Sequence, residues 1–385
     1  MTSTDLRKCE SLDAVIVGAG AAGVGIGVVL NDLGLDSYAI LDREAVGASF
    51  RQWPDEMQFI TPSFPGNGFG CRDLNAVTTD TSPAFALNSE HPSGDEYAEY
   101  LEGVTEFYDL PLRTGVDVES IRCHGDEFVL HTSAGPIRSR FVVWAAGQFG
   151  QPNDDPFPGA ERCVHNSRVE SWRSFADECV DDPVVIIGGY ESGIDAALTL
   201  ADTGQETVVL DEEGPWRLRG PDPSEVLSPY TSQQLREAFG RNAPIALEDG
   251  VRVERVEHAE SDSESFEVVS TDGETFATRN RPVLATGFEG GLGPADEHFA
   301  FDDGRPQLTE RDESTTTPGM FLVGPQVAHN GQLFCFIYKF RQRFAVVADE
   351  IAARLGIDRA PLEEYREKDM FLEDLSCCDP DMCDC

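Results

Sequence analysis

One pattern, strand–glycine turn–helix–strand–acid, occurs twice along the 385 residues and restricts the fold more than any other feature. In the first copy, the β-branched run Ala14 to Val17 ends in Gly18-Ala-Gly20-Ala-Ala22-Gly23. A small-residue amphipathic segment, Val24 to Leu33, stops at Gly34, and a strand from Ser37 to Leu41 ends in Asp42. The second copy runs from a strand at Val184–Ile187 through Gly188-Gly189-Tyr190-Glu191-Ser192-Gly193. Its helix spans Ile194 to Asp202, Gly204 stops it, and a strand from Glu206 to Leu210 ends at Asp211. Apolar strands bracketing helices at this spacing predict βαβ units with parallel sheets. The chain is therefore expected to be α/β, with two doubly wound, Rossmann-type dinucleotide-binding domains.

The chemistry follows from the residue types. Gly18 permits a tight turn, Gly20 lets backbone approach a pyrophosphate, and Gly23 lets helix pack against strand, with Ala22 small for the same reason. The unpaired N–H groups of the helix N-terminus then point at phosphate. Asp42 follows Gly18 by 24 residues, where a carboxylate accepts from ribose hydroxyls. In the second copy Gly188, Gly189, Glu191 and Ser192 are read the same way, with Gly189-Tyr190 as a shifted form of the first turn. Asp211 would accept from a 2′-hydroxyl and repel a 2′-phosphate, which favours NADH over NADPH. Arg217 and Arg219, just beyond, keep NADPH open. Two strands, Phe141 to Gly147 and Pro282 to Gly287, each close in Ala-x-Gly. Ala146, Gly147, Thr286 and Gly287 are thus expected where small residues pass close to a dinucleotide.

Elsewhere, Arg43 to Pro92 reads as a long loop, and a helix over 94–108 carries a capping box from Ser93 to Glu96. Strands follow over 114–121, 127–132 and 138–145, and the proline- and acid-rich stretch 151–159 reads as a crossing between domains. Further strands are expected over 251–256, 265–270 and 281–285, then a last strand over 320–323 and a long helix over 331–355. The resulting organisation is a first domain over 1–165 completed by 301–366, an inserted domain over 166–300, and a cysteine-rich tail over 367–385.

Acidic residues number 70 against 29 basic, for a net charge of −41, and only Lys8, Lys339 and Lys368 are lysines. Acid so dispersed resembles proteins of extreme halophiles, whose molar salt shortens the Debye length to about 3 Å. A polyanionic nucleic acid would be repelled. No apolar run reaches the length of a membrane span, and residues 1–12 lack a signal-peptide core. A cytoplasmic protein is expected.

The order of these motifs, with Ala-Thr286-Gly287-Phe and Gly324 before a terminal helix, resembles the two-dinucleotide-binding-domain flavoproteins. It is most similar to the flavin-containing monooxygenase-like group and to bacillithiol-disulfide-reductase-like flavoproteins. The stretch Gly47-Ala-Ser49-Phe-Arg-Gln-Trp53 resembles the monooxygenases' Gly-Gly-x-Trp segment, and Thr61-Pro-Ser-Phe-Pro65 their flavin-side loop. The resemblance implies FAD held by Gly18, Gly20, Ala22, Gly23, Asp42, Arg43, Ser49, Trp53, Thr61, Val118, Ala146, Gly147, Gly324 and Pro325. It implies a nicotinamide coenzyme at Gly188, Gly189, Glu191, Ser192, Asp211, Thr286 and Gly287. Two departures stand out. The monooxygenase FxGxxxH fingerprint is here Phe157-Pro-Gly159 with five residues before His165. The Gly-Asp that holds the ribityl chain is Gly324-Pro325, leaving backbone N–H groups or Gln326 to replace the acid.

The expected reaction passes hydride from NADH to FAD, with a helix N-terminus near Asn330–Gln332 stabilising the reduced flavin. The expected acceptor is oxygen with a small-molecule substrate, as in a flavin monooxygenase-like enzyme; the alternative is a protein or low-molecular-weight disulfide or a metal ion, reduced through the C-terminal cysteines. His165, Cys378 and Cys383 are the catalytic candidates. The tail cysteines Cys377, Cys378, Cys383 and Cys385 also suit a soft metal ion. A non-catalytic NADH sensor tied to a transport system is a third reading, and a homodimer is open.

Overall fold

The computed structural model describes residues 9–65, 72–220, 224–259 and 262–376. They form two compact units. One contains the chain up to Arg51, Pro62–Gly150 and everything from Gly290 onward; the other contains Gln52–Thr61 and Gln151–Glu289.

The first unit is built on β1 (Glu10–Val17), α1 (Ala21–Asp32) and β2 (Tyr38–Leu41). A short α2 (Pro83–Leu87) interrupts the loop, and α3 (Gly94–Phe107) starts with the expected capping box: Ser93 Oγ accepts from Glu96 N, and Glu96 Oε2 from Ser93 N. Then come β3 (Leu112–Arg113), β4 (Val118–His124), β5 (Glu127–Thr132) and β6 (Ile137–Trp144). The sheet order is β3-β2-β1-β6 in parallel, with β5 and β4 following antiparallel. All four residues of β2 and the last four of β1 are buried. This is the continuous apolar run of a parallel strand covered on both faces.

The second unit contains β7 (Val164–His165), α4 (Trp172–Glu178), β8 (Val184–Ile187), α5 (Glu191–Asp202) and β9 (Thr207–Asp211). After them come α6 (Pro229–Gly240), β10 (Ile245–Asp249), the antiparallel β11 (Val253–Ala259), β12 (Asp262–Ser270) and β13 (Thr275–Thr278), and β14 (Val283–Leu284). Its main sheet is β10-β9-β8-β14-β7, parallel throughout. Because β7 pairs with β14, the crossing between units lies at 150–151 and not at 165–166. The return lies at 289–290 and not near 300.

The chain then completes the first unit with a small hairpin, β15 (Phe301–Asp302) and β16 (Arg305–Pro306), followed by β17 (Met320–Leu322). β17 pairs with the C-terminal half of β6, while β5 pairs with its N-terminal half. The expected helix over 331–355 is not continuous. A hairpin of β18 (Ala328–His329) and β19 (Gln332–Leu333) comes first, turning at Asn330 (φ 50°) and Gly331 (φ 83°). Two successive positive φ values are what an Asn-Gly two-residue turn provides. Helix begins only at α7 (Ile337–Phe340), continues after a 3-10 turn as α8 (Phe344–Leu355), and stops at Gly356 (φ 71°); α9 (Leu362–Glu367) follows. Residues 330–332 therefore offer no helix N-terminus to a flavin. α8 instead packs against α1: a Cβ on Gly25 would fall 2.1 Å from the Phe344 ring.

Candidate dinucleotide sites

The two glycine turns have the same construction. Gly18 N donates to Leu41 O (2.8 Å) and Ala145 N to Val17 O (2.8 Å); in the second unit Gly188 N donates to Leu210 O (2.9 Å) and Ala285 N to Ile187 O (2.8 Å). Each turn thus lies at the C-terminal edge of its sheet, where the chain leaves the central strand on one side and arrives from a parallel neighbour on the other. That is the crevice where open α/β sheets hold ligands. A Cβ on Gly18 (φ 109°) would sit 2.5 Å from Ala145 O, and one on Gly188 (φ 103°) 2.4 Å from Ala285 O. A Cβ on Gly23 would meet Gly18 O at 1.8 Å, and one on Gly193 would meet Gly188 O at 1.9 Å. These positions admit glycine alone.

Both acids clasp their turns. Asp42 accepts from Ala19 N (2.7 Å) and Glu44 N (2.8 Å). Asp211 accepts from Gly189 N (2.7 Å), Glu213 N (2.9 Å) and Gly214 N (2.8 Å). Each carboxylate is held beside its turn by backbone N–H groups.

The middle of each turn differs. Around Gly20 a Cβ would meet nothing within 4 Å, so open space adjoins the first turn of α1. The corresponding residue of the second turn is Tyr190 and not Gly189. Tyr190 precedes α5 with φ −83° and ψ −163°, against −82° and −169° for Gly20 before α1. Those angles suit any residue, and the Tyr190 phenol donates to Val226 O (3.0 Å). Gly189 is glycine for another reason: a Cβ there would lie 2.2 Å from Cζ3 of Trp216.

Among the other residues expected around the first turn, Gly47 N donates to Ala19 O (3.0 Å), which ties the Ser49 loop to the turn. Arg43 is exposed and pairs with Glu44 (3.5 Å). Val118 is buried at the start of β4. Ala146 is exposed beside Gly147 (φ 65°). Gly324 (φ 111°) would bring a Cβ to 3.3 Å from the Ala22 Cβ, so the Gly324-Pro325 bend lies against α1. The Gln326 amide donates to the carbonyls of Gly290 and Gly291 (both 3.1 Å). Trp53 and Thr61 fall in the second unit, where Trp53 packs on Phe59 with ring centroids 5.1 Å apart.

In the second unit several candidates have structural partners. Glu191 accepts from Ser228 N (2.5 Å), Ser228 Oγ (3.3 Å) and the Thr231 hydroxyl, at the start of α6; burial raises its carboxyl above the ordinary range. Ser192 follows in the same turn. The Thr286 hydroxyl donates to Asn153 O (2.6 Å). His165 bonds Gly287 O through Nε2 (3.0 Å) and Ser167 Oγ through Nδ1 (2.8 Å), and burial pulls its pKa down. It is a neutral, structural imidazole at neutral pH.

Three features escaped the sequence. Asp249 ends β10 in register with Asp211 and holds the Arg217 guanidinium in an ion pair. Glu56 accepts from Ser171 Oγ (2.8 Å), Trp172 N (2.9 Å) and Arg173 N (3.2 Å), which fastens the 52–61 segment to the start of α4. Asp195 has a buried Oδ2 without a hydrogen bond; desolvation, with Glu191 and Glu56 near, pushes its pKa up to about 7. Only the pairing of β9 with β10 and the docking of 52–61 bring these groups together.

Among the described residues no group of three or more His, Cys, Asp or Glu could hold a metal ion, and no helix is long and apolar enough to cross a membrane. Cys123, Cys163 and Cys179 are free thiols. Burial pushes Cys163 up to about 12 and raises Cys123 and Cys179 as well, which disfavours the reactive thiolate. Cys377, Cys378, Cys383 and Cys385 lie outside the described residues.

Two paired glycine turns, each at a sheet switch point with its own acid, define a two-dinucleotide-fold oxidoreductase. The chain belongs to the pyridine nucleotide-disulphide oxidoreductase family, whose profile matches residues 15–324. It is similar to the bacilliredoxin reductase Bdr of Bacillus subtilis, with 25% identity over 347 residues covering 89% of this chain and 98% of that protein. It is 27% identical to a ferredoxin–NADP reductase of Gluconacetobacter diazotrophicus, covering 92% of this chain and 94% of that one. A flavin-containing monooxygenase from Stenotrophomonas maltophilia shares the fold, with TM-score 0.69 and 20% identity over 90% of this chain and 99% of that one. The family binds FAD and NAD(P)H. The open space at Gly20 and the N–H groups at the start of α1 fit a pyrophosphate.

Proposed function

We propose that this chain is an NADH-dependent FAD oxidoreductase that reduces a disulfide. The observation that carries the coenzyme half is the pair of aligned carboxylates, Asp211 and Asp249, at the ends of β9 and β10. A 2′-phosphate placed beside Asp211 would meet both charges. Of the two nearby cations that could offset them, Arg217 is already paired with Asp249, and Arg219 donates to the carbonyls of Trp216 and Leu218. A 2′-hydroxyl can donate to Asp211 instead. FAD, held by the first turn, supplies a two-electron carrier between coenzyme and acceptor. Around it, Gly20 leaves room for the pyrophosphate, Asp42 accepts from the ribose, and Gly324-Pro325 closes the bend over α1.

A disulfide acceptor is supported by the family itself and by a bacilliredoxin reductase matched over almost its whole length. The tail cysteines Cys377, Cys378, Cys383 and Cys385 would serve as the relay thiols. A monooxygenase is the second reading, favoured by the shared fold. His165, the monooxygenase-like candidate, supports it poorly because both its nitrogens are engaged within the second unit.

The test reduces the holoprotein with NADH without air, then adds either a low-molecular-weight disulfide or oxygen with small organic substrates. Reoxidation by the disulfide, lost on deleting residues 377–385 with flavin content unchanged, is expected. Substrate-dependent oxygen uptake with an inert disulfide would favour the monooxygenase.

A further inference from the structure

The glycine at 189 has no counterpart in the first turn, where Ala19 holds the equivalent place. Its backbone is not strained, so conformation does not require it. What requires it is Trp216, whose six-membered ring would lie 2.2 Å (Cζ3) and 3.1 Å (Cε3) from a Cβ at 189, with the Asp211 Cβ at 3.0 Å from the same point. The indole therefore rests on the turn itself, beside the acid that reads the ribose. Gly214, in the left-handed region (φ 64°), sends the chain into the 3-10 turn Pro215–Arg217 and so aims the indole inward. The next residue, Arg217, is anchored to Asp249. Trp216 packs on the apolar cluster of the second unit yet keeps part of its surface exposed. Asp249 lies close to it, since a Cβ on Gly214 would fall 2.7 Å from the Asp249 Cβ and 3.7 Å from Cε2 of Trp216; its carboxylate repels phosphate and leaves a flat apolar ring as the compatible partner.

We propose that Trp216 is the adenosine platform of the second turn: its indole stacks on the adenine ring while Asp211 accepts from the adjoining ribose. The assignment rests on the NADH reading above and deepens it. Base–aromatic stacking makes the platform worth about tenfold in affinity. The anchoring by Gly214 and by the Arg217–Asp249 pair means that the surface is preformed, so little ordering opposes binding.

The test uses the FAD-loaded, full-length protein in high salt, with equilibrium calorimetry of NAD+, AMP and nicotinamide mononucleotide. Trp216→Ala is expected to weaken NAD+ and AMP by about tenfold and to leave nicotinamide mononucleotide unchanged. Trp216→Phe keeps a ring and should stay within about threefold of wild type. Energy transfer from tryptophan to bound NADH should drop in both variants, because the donor nearest the coenzyme is gone. Unchanged AMP affinity in Trp216→Ala would overturn the assignment, and tighter AMP binding would show the indole to be an obstruction. If Trp216→Ala loses its flavin or fold, Trp216→Phe decides alone: undiminished energy transfer would refute the platform. Wild-type protein that binds neither NAD+ nor AMP would overturn the NADH reading together with the platform, whereas the variant outcomes overturn the platform alone.

Discussion

Asp195 shows how much a single side chain can depend on contacts from distant parts of the chain. It lies one turn beyond Glu191 on α5, where a sequence reading sees an ordinary helix acid. The docking of Glu56 at α4 adds a second carboxylate nearby, and burial leaves Oδ2 without a partner. Burial raises its folded pKa to about 7 from the ordinary aspartate value of 3.8. The folded state therefore holds a proton that the unfolded state has released between those values, and stability contributed by this group falls as pH rises through that window. Asp195→Asn, neutral at every pH, should unfold at a higher temperature than wild type at pH 8 and show a flatter melting profile from pH 5 to 8. A variant whose melting curve tracks wild type across that range would refute the burial argument. The residues legible from sequence were those with a local steric reason: Gly18, Gly23 and Gly188 need no tertiary information to be recognised. The steric reason for Gly189 is not legible in the local sequence, because the ring that demands it arrives 27 residues later.

At the scale of elements, strong local signals held. The Ser93–Glu96 box caps α3 as expected, and because both reciprocal bonds form, Ser93→Ala should cost about 1 kcal/mol, read as a shift in chemical unfolding with the flavin still bound. A variant of unchanged stability would mean that the α3 terminus is held by packing alone. The C-terminal helix was placed too early because Gly331-Gln-Leu333 was read as its first turn. Asn330-Gly331 carried the opposite signal, that of a two-residue hairpin. α6 and β10 were missed for a different reason. α6 is largely polar and buries only Thr231, Leu235 and Ala238, so its apolar stripe is too thin to stand out, and β10 is a half-buried edge strand recognisable only through its pairing with β9.

At the scale of the molecule, the charge of −41 sets the conditions under which the rest operates. Many of the few cations are already committed to ion pairs, such as Arg113 with Glu10 and Arg138 with Glu127. Exposed pairs of this kind contribute little each, so the surplus acid repels itself wherever salt is dilute. The Debye length contracts from about 10 Å at 0.1 M to about 3 Å at 1 M. The melting temperature should therefore rise as KCl increases toward the molar range, as the halophile reading requires, and a flat or falling response would contradict that reading. The α/β class and both turns were legible because each unit repeats one local pattern. The unit boundaries were not, because β7 and the 52–61 segment are assigned by sheet pairing and by the Glu56 clasp, neither of which leaves a local mark. In the proposed reaction one chain binds FAD at the first turn and accepts hydride from NADH at the second. The most direct measurement is an anaerobic titration of the purified yellow protein in high salt, following visible flavin absorbance as coenzyme is added. Bleaching by one equivalent of NADH, with NADPH much less effective, is the predicted result. Flavin that stays oxidised with NADH, or that is reduced preferentially by NADPH, would contradict the account.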